Sequence, residues 1–459
     1  MKSNRCEVVA SELDGSGHGI ARGSGGNGTV HVLDFLPGER AEVAIDHRSP
    51  HRAEAWGRVV RRIGPASPDR VAPSCPSFGQ CGGCVWQHLA YPAQLIAKRQ
   101  VVAAALAEVP AVRVGRTTVA AVRPSPEQLG YRNKGKYVVG RANNGLVLGA
   151  YAPRSHRVID TLGCRVVAPI VDEVATWVRG AAERAGLTAY DEPKAGGELR
   201  YVIVREAAGD VLIVLVVAPG TERAKLATVA TAMTKHPAVR GVVVIENGRR
   251  DGAIIPAGSE VSVLSGEPHL IEEVGGVAVE VGAGEFVQVN RAQARAMYAR
   301  VVELAEVTAG QRAVDLFAGL GGIGLGLARA GAQVVAVEID RDAVARLEVA
   351  AKRAGLSVKA IAADTNALSA ELRAELGSAP DVVVVNPPRK GLSPAARSLV
   401  VELGARCVIY VSCGPASLGR DLIDLAEHGW DPDVIEPFDL MPGTGQIETV
   451  VRLVRRHDE

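Results

Sequence analysis

The stretch from residue 312 to 338 constrains this chain more than any other. The run Val314-Asp-Leu-Phe-Ala-Gly319-Leu-Gly321-Gly-Ile-Gly324 reads as a strand that breaks into a glycine loop and reopens as a helix. Val334-Val-Ala-Val-Glu338 then reads as a second buried strand. Further strands of buried type follow at Asp381–Asn386 and Cys407–Ser412, separated by helical stretches. Such alternation implies a mostly parallel, doubly wound sheet with helices on both faces, an α/β, Rossmann-like fold from about residue 283 onward. Ligands of such sheets bind at the carboxyl ends of the strands, and every notable motif of this region falls there.

Gly319, Gly321 and Gly324 satisfy G-x-G-x-x-G, which in a strand–loop–helix context suits a pyrophosphate at a helix N-terminus. Glu338 ends the next strand as an acid able to accept hydrogen bonds from a ribose diol. Two ligands compete on this evidence, NAD(P) and S-adenosylmethionine. Asp315, four positions before Gly319, favours the second: a carboxylate there can hold a cationic ligand but would oppose a pyrophosphate. Asp364, after Ala360-Ile-Ala-Ala, sits where a third strand could end and meet an adenine amine.

The remaining chain reads as three further parts. Residues 1–62 contain short strands (Glu7–Leu13, Gly28–Phe35, Arg40–His47, Ala53–Ile63) divided by the glycine tracts Gly15–Gly23 and Gly25–Gly28. That pattern suits a small OB-like β-barrel, a fold that often binds oligonucleotides. Residues 63–119 form a proline-marked linker, a cysteine segment and a helix over Pro92–Glu108. Residues 120–282 alternate strand-like runs with one or two helices, and Tyr201–Glu206 and Val211–Val217 flank a hairpin turn, giving a largely antiparallel α+β domain. At 459 residues and 47% hydrophobic content the chain can fill several cores and is not disordered. Its longest apolar run, Val211–Ala218, is far short of the roughly 18 residues that cross a bilayer, so no membrane partner is expected. No signal peptide is visible, and the seven cysteines are an odd number, which argues for the reducing cytoplasm; a monomer is expected.

Two motifs offer reactive groups. Tyr410-Val-Ser-Cys413-Gly-Pro puts a thiol at the end of a strand, where nearby helix N-termini would favour the thiolate. Asp381-Val-Val-Val-Val-Asn386-Pro-Pro-Arg389-Lys-Gly ends a strand in a rigid turn that projects Asn386 and Arg389. Met441-Pro-Gly-Thr-Gly-Gln446-Ile-Glu448 supplies a carboxylate before a final strand, Thr449–Val454.

Together with Phe286-Val-Gln-Val-Asn290, Asp315-Leu-Phe-Ala-Gly and cysteines 75, 81, 84 and 164, these motifs make the chain resemble the RNA 5-methyluridine methyltransferases over Arg5 to Leu453. The resemblance implies a class I methyltransferase domain over 283–459 that uses S-adenosylmethionine. It also implies a defined chemistry. A thiolate adds to uracil carbon 6, the resulting enolate attacks the sulfonium methyl, and a base removes the carbon 5 proton before the thiol is eliminated. Cys413 would be the nucleophile and Glu448 the base. Gln288, Asp315, Phe317, Gly319, Glu338, Asp364 and Asn386 would line the cofactor site, with Arg389 beside the reacting centre. The chain departs from the family pattern twice. Asn386 stands where the family usually has Asp, and Met441 to Gln446 replaces Phe-Pro-x-Thr-x-His, removing a histidine near Glu448.

Four cysteines can hold zinc or an iron–sulfur cluster. The spacing Cys75-x5-Cys81-x2-Cys84 fits neither a zinc knuckle nor a radical enzyme, and the resemblance implies a structural [4Fe–4S] cluster on these three with Cys164. Cys6 lies outside the pattern as a packed thiol, and Cys407 reads as inert core.

The net charge of +1 hides segregation. Residues 98–165 carry 12 Lys+Arg against 3 Asp+Glu, whereas residues 301–459 carry 16 against 22. Tyr131-Arg-Asn-Lys-Gly-Lys-Tyr137 interleaves aromatics and cations, as base stacking plus phosphate contact would need. RNA is therefore the expected partner, with the target uridine in a loop or flipped out. The barrel resembles the RNA-binding TRAM module, which favours 23S ribosomal RNA over transfer RNA. Two other classes fit some of the motifs: an NAD(P)-dependent iron–sulfur oxidoreductase, and a non-catalytic RNA-binding protein.

Overall fold

Why the ligand edge forms where it does follows from seven strands at the C-terminal end of the chain. The computed structural model describes residues 5–22, 28–142, 145–153, 155–256, 258–366, 374 and 379–456.

The N-terminal strands β1 (Arg5–Leu13), β2 (His18–Arg22), β3 (Thr29–Leu33), β4 (Arg40–Arg48) and β5 (Glu54–Ile63) close into a barrel in the order β1-β2-β3-β5-β4. Alternate residues point inward, among them Val8, Ala10, Ala21, Val32 and Val43. Strand β2 lies inside a tract expected to be only a turn. Gly19 explains the difference: an added Cβ would lie 2.2 Å from the Phe35 carbonyl oxygen, so this glycine permits a close crossing within the barrel. Of the second expected turn, Gly25, Gly26 and Asn27 lie outside the described residues.

A central sheet holds β6 (Lys134–Ala142), β7 (Gly145–Tyr151), β8 (Val158–Asp160), β9 (Leu199–Ala207), β10 (Asp210–Val217), β11 (Val239–Glu246) and β12 (Ser262–Gly266), in the order β12-β11-β10-β9-β6-β7-β8. All its neighbours are antiparallel except β10 and β11. The expected hairpin is present. Ala208 and Gly209 turn it with φ of 52° and 89°, the two positive values a tight I′ turn demands. Helices Pro169–Arg184 and Arg223–Met233 cover one face through Val171, Val174, Val178, Leu226 and Val229. A separate hairpin, β13 (Leu270–Val274) with β14 (Val277–Val281), leads into the last unit.

The last sheet contains β15 (Arg312–Leu316), β16 (Gln333–Glu338), β17 (Val358–Ala362), β18 (Val382–Val385), β19 (Cys407–Ser412), β20 (Trp430–Phe438) and β21 (Glu448–Arg455). Its order is β17-β16-β15-β18-β19-β21-β20; the first five are parallel, and β21 runs antiparallel to both of its neighbours. The four-valine strand β18 is buried on both faces. Val382 and Val384 pack with helices Arg291–Ala305, Gly322–Arg329 and Arg341–Arg353, while Val383 and Val385 pack with Pro394–Leu403 and Pro415–Glu427. The helix Tyr91–Ala105 joins this second layer through Val102, so a segment read as linker is part of the wall of the catalytic sheet. Each such fully buried valine or leucine contributes about 1.5–3 kcal/mol. Chain order reverses between β15 and β18, and that reversal opens the crevice in which the site lies.

Candidate active site

A cavity of about 1130 Å³ opens at the carboxyl ends of β15, β16 and β18. Its wall includes Gln288, Phe317, Gly319, Glu338, Asp364, Asn386, Arg389, Cys413, Gln446 and Glu448, so residues from seven separate stretches of sequence meet there.

The floor is the glycine loop. Phe317 leaves β15 with φ of 62°, a left-handed conformation that costs a non-glycine residue about 1–2 kcal/mol and bends the chain sharply off the strand. Gly321 (φ 81°) caps the helix Gly322–Arg329. The Gly319 amide donates to Glu338 Oε2 at 2.9 Å, while Glu338 Oε1 accepts from the amides of Ile339 (2.8 Å) and Asp340 (3.0 Å). Loop and acid are thereby locked together. Asp364 is oriented by its own turn, accepting from the Asn366 amide at 2.9 Å.

Asp315 does not do what its position suggested. Its carboxylate lies beneath the loop, away from the cavity wall, and is 1% exposed. Oδ2 accepts from the Gly324 amide at 2.8 Å and Oδ1 has no partner. Burial pushes this carboxyl up to about 7, the Gly324 hydrogen bond opposes that shift, and Glu338 adds to it. The strand reaches the loop from below, so the acid ties the loop down through the Gly324 amide.

Gln288 sits on the strand-like segment before Asn290. That segment runs beside β6, with the Asn133 amide donating to the Val289 carbonyl at 3.0 Å. Asn290 caps the helix Arg291–Ala305, and its amide group donates to Ser125 Oγ (2.9 Å) and the Leu440 carbonyl (3.2 Å).

Cys413 follows β19 and Glu448 opens β21. Their strands are antiparallel neighbours whose register pairs Ser412 with Thr449, so thiol and carboxylate emerge side by side at the sheet edge. Burial raises the Cys413 thiol, the Glu448 carboxylate raises it further, and Arg389 lowers it through charge and a hydrogen bond. The thiolate bias expected from helix N-termini is thus outweighed by burial. Glu448 is pushed up to about 7 by burial, with the Arg389 charge opposing. A carboxyl held there can exchange a proton near neutral pH.

Nothing in the sequence pointed to Asp421. Fully buried on the helix Pro415–Glu427, it accepts from Tyr410 Oη (2.8 Å), the Leu392 amide (2.8 Å) and Arg397 Nη1 (3.1 Å). Ser417 Oγ donates to the Arg389 carbonyl at 2.8 Å. Together they clamp the turn that carries Asn386 and Arg389.

Comparison with known proteins agrees with this geometry. The family model described as tRNA (uracil-5-)-methyltransferase matches residues 277–456. An uncharacterized RNA methyltransferase of Halalkalibacterium halodurans is 34% identical across 98% of this chain and 97% of its own. The chain belongs to the tRNA (uracil-5-)-methyltransferase family. It is an RNA methyltransferase. A second family relative, an uncharacterized RNA methyltransferase of Bacillus cereus, is 31% identical over 99% of this chain and 97% of its own. The fold matches the crystal structure of Pyrococcus abyssi tRNA (uracil-54, C5)-methyltransferase bound to S-adenosyl-L-homocysteine. That match has a TM-score of 0.74 and 23% identity, covering 98% of this chain and all of the other.

Two expectations for this methyltransferase change with the structure. Tyr131 and Tyr137 are core residues, 6% and 3% exposed. Tyr131 Oη donates to the Pro442 carbonyl at 3.1 Å, and Tyr137 packs under the helix Pro169–Arg184, so neither ring is free to stack on a base. Strand alternation sends them inward while Lys136 stays exposed. Lys98, counted within the basic segment, is buried as well; Arg99, Arg141, Arg157 and Arg165 remain on the surface.

Cys75, Cys81, Cys84 and Cys164 lie on loops. Burial raises the Cys84 thiol to about 12, with the charges of Cys164, Cys81 and Cys75 adding and Arg132 opposing. The four are close enough to sense one another. Even so, among the described residues no group of three or more His, Cys, Asp or Glu side chains is gathered to hold a metal ion. Cys407 is core, as read, and Cys6 packs against the barrel interior. Among the described residues no helix is long and apolar enough to cross a membrane.

Proposed function

We propose that this protein methylates carbon 5 of a specific uridine in RNA, with Cys413 as nucleophile and Glu448 as base. The observation that carries the proposal is the register of β19 against β21, which brings a thiol and a neutral-range carboxyl together at the mouth of the glycine-loop cavity. S-adenosylmethionine bound in this cavity would supply the methyl group. Gln288, Phe317, Gly319, Glu338, Asp364 and Asn386 would hold it, and the S-adenosyl-L-homocysteine bound to the Pyrococcus relative supports that choice of donor. Cys413 would add to carbon 6, activating carbon 5. Arg389, hydrogen-bonded to the thiol, would steady its anionic form, and Glu448 would take the carbon 5 proton after transfer. Asn386 supplies a neutral amide where the family has a carboxylate; an amide can still pair with the uracil edge.

The proposed domains are a TRAM-like barrel (1–62), a linker with the cysteines (63–119), a central RNA-binding unit (120–282) and the methyltransferase unit (283–459). The closed barrel supports ribosomal RNA as the target class, and the cytoplasm and a monomer remain the expected setting. A transfer RNA target is the second reading, favoured by the transfer RNA substrate of the Pyrococcus relative. A [4Fe–4S] cluster on Cys75, Cys81, Cys84 and Cys164 is carried as a structural proposal, supported by the mutual influence of the thiols, and no chemical step depends on it. Mass mapping of 5-methyluridine in ribosomal and transfer RNA, with and without the protein, tests the reading. Loss of one site identifies the target; an unchanged map in both RNAs refutes the proposal.

A further inference from the structure

The segment between β20 and β21, Asp439 to Ile447, delivers Glu448 to the cavity, yet nearly everything that holds it comes from the first third of the chain. Lys98 and Asp439 are both fully buried, and Lys98 Nζ donates to Asp439 Oδ1 at 2.5 Å across 341 positions of sequence. Lys98 also donates to the Met441 carbonyl at 3.0 Å, and Asp439 Oδ1 accepts from the Met441 amide at 3.0 Å. The Gly443 amide donates to Gln94 Oε1 at 2.8 Å, one helical turn before Lys98 on the same helix. The Gly443 carbonyl accepts from the Trp86 amide at 2.8 Å, and Gly445 passes so close to the barrel that an added Cβ would lie 2.3 Å from the Gly15 carbonyl oxygen.

A buried lysine facing one carboxylate is a costly way to hold a fold: taking both charges out of water roughly offsets their attraction, and an apolar pair packs as well. What the pair supplies is direction. It fixes one carbonyl and one carboxylate at the root of a glycine-rich segment whose far end is Glu448. We infer that Lys98, through Asp439, is a positioning residue for Glu448, so that the helix Tyr91–Ala105 sets the proton-abstraction step while leaving thiol addition and methyl transfer to Cys413 and the cavity. This rests on the proposed role of Glu448.

In the affected step Glu448 takes the carbon 5 proton. The electron pair left behind forms the 5,6 double bond, the carbon 6–Sγ bond breaks, and Cys413 departs as thiolate. A displaced Glu448 therefore stalls the enzyme after methyl transfer, as a methylated covalent protein–RNA adduct.

The test is a single turnover of the full-length protein on RNA from cells lacking it, tritiated at uridine carbon 5, with carbon-labelled methyl donor. In the wild type, methyl incorporation and tritium release should coincide. In Lys98→Met, and in the charge-neutral double variant Lys98→Met/Asp439→Asn that avoids a lone buried charge, tritium release should lag methyl incorporation at least fivefold. A denaturation-stable labelled adduct should accumulate, and Lys98→Arg should restore part of the coincidence. Glu448→Gln runs alongside. If it accumulates adduct while both Lys98 variants slow the two signals equally, the positioning inference is overturned and the base stands. If Glu448→Gln accumulates none, the base assignment fails and the inference with it.

Discussion

Cys413 and Glu448 flank the last pair of the β19–β21 ladder, Ser412 with Thr449, and the carboxylate pushes the thiol upward. The proposed nucleophile and base share one cation between them, Arg389, which lowers both.

Replacing the nucleophile separates binding from chemistry. Cys413→Ala should bind S-adenosylmethionine within about twofold of wild type by calorimetry, because the glycine loop and Glu338 are untouched. Radiolabelled methyl transfer should fall by at least about a thousandfold. Full methylation by this variant would remove the covalent mechanism.

The pH profile should report the buried pair. Glu448 at about 7 and Cys413 above its ordinary value are both protonated at pH 6, and both must lose protons to act. The single-turnover rate should climb through about pH 7 and continue to rise on the alkaline side. Arg389→Gln removes the charge that lowers both groups, so its profile should move to higher pH; a shift to lower pH would contradict the assignment.

Asp315 makes a stability prediction. Its carboxyl is raised from an ordinary 3.8 to about 7 by burial, so the folded protein resists ionising it while the unfolded chain does not. The cost is absent below pH 4, grows as pH rises, and is complete above about 7, on the order of 4 kcal/mol. Asp315→Asn should therefore raise Tm relative to wild type by a margin that widens from pH 4 to pH 8. A margin that narrows would mean the carboxylate is stabilised in place.

The glycine loop, its acid Glu338, the strand-end cysteine and the C-terminal glutamate were legible because each combines a local backbone signal with a reactive side chain at a strand end. Asp315 was legible as a residue but not as a role: sequence gives its distance from Gly319 and not the side of the loop it faces. Tyr131 and Tyr137 misled because cations between aromatics look alike on a surface strand and on one that buries alternate residues. The Lys98–Asp439 pair and the Asp421 clamp had no local signature at all, since their partners are brought in by the packing of distant elements.

Asp421→Ala should leave Tyr410, Arg397 and the Leu392 amide with a buried vacancy in their hydrogen bonding and destabilise the protein by about 3–5 kcal/mol in urea titration. Asp421→Asn, which keeps an acceptor, should cost less, and methyl transfer should fall further than donor binding in Asp421→Ala because the Leu392 amide, at the end of the turn that carries Arg389, loses its partner.

The cysteine proposal is checked by iron and sulfide analysis of anaerobically purified protein. A bound cluster should give a broad absorbance near 400 nm that is lost in Cys84→Ser. Its absence in protein folded to full activity would leave the four residues as ordinary half-buried thiols.

Strand β21 runs against its neighbours and enters the sheet between β19 and β20, later in the chain than either. A growing polypeptide thus contains the proposed nucleophile before it contains the proposed base, and the two are brought side by side only when the β20–β21 hairpin docks on β19. Until that docking the cavity lacks its carboxylate wall.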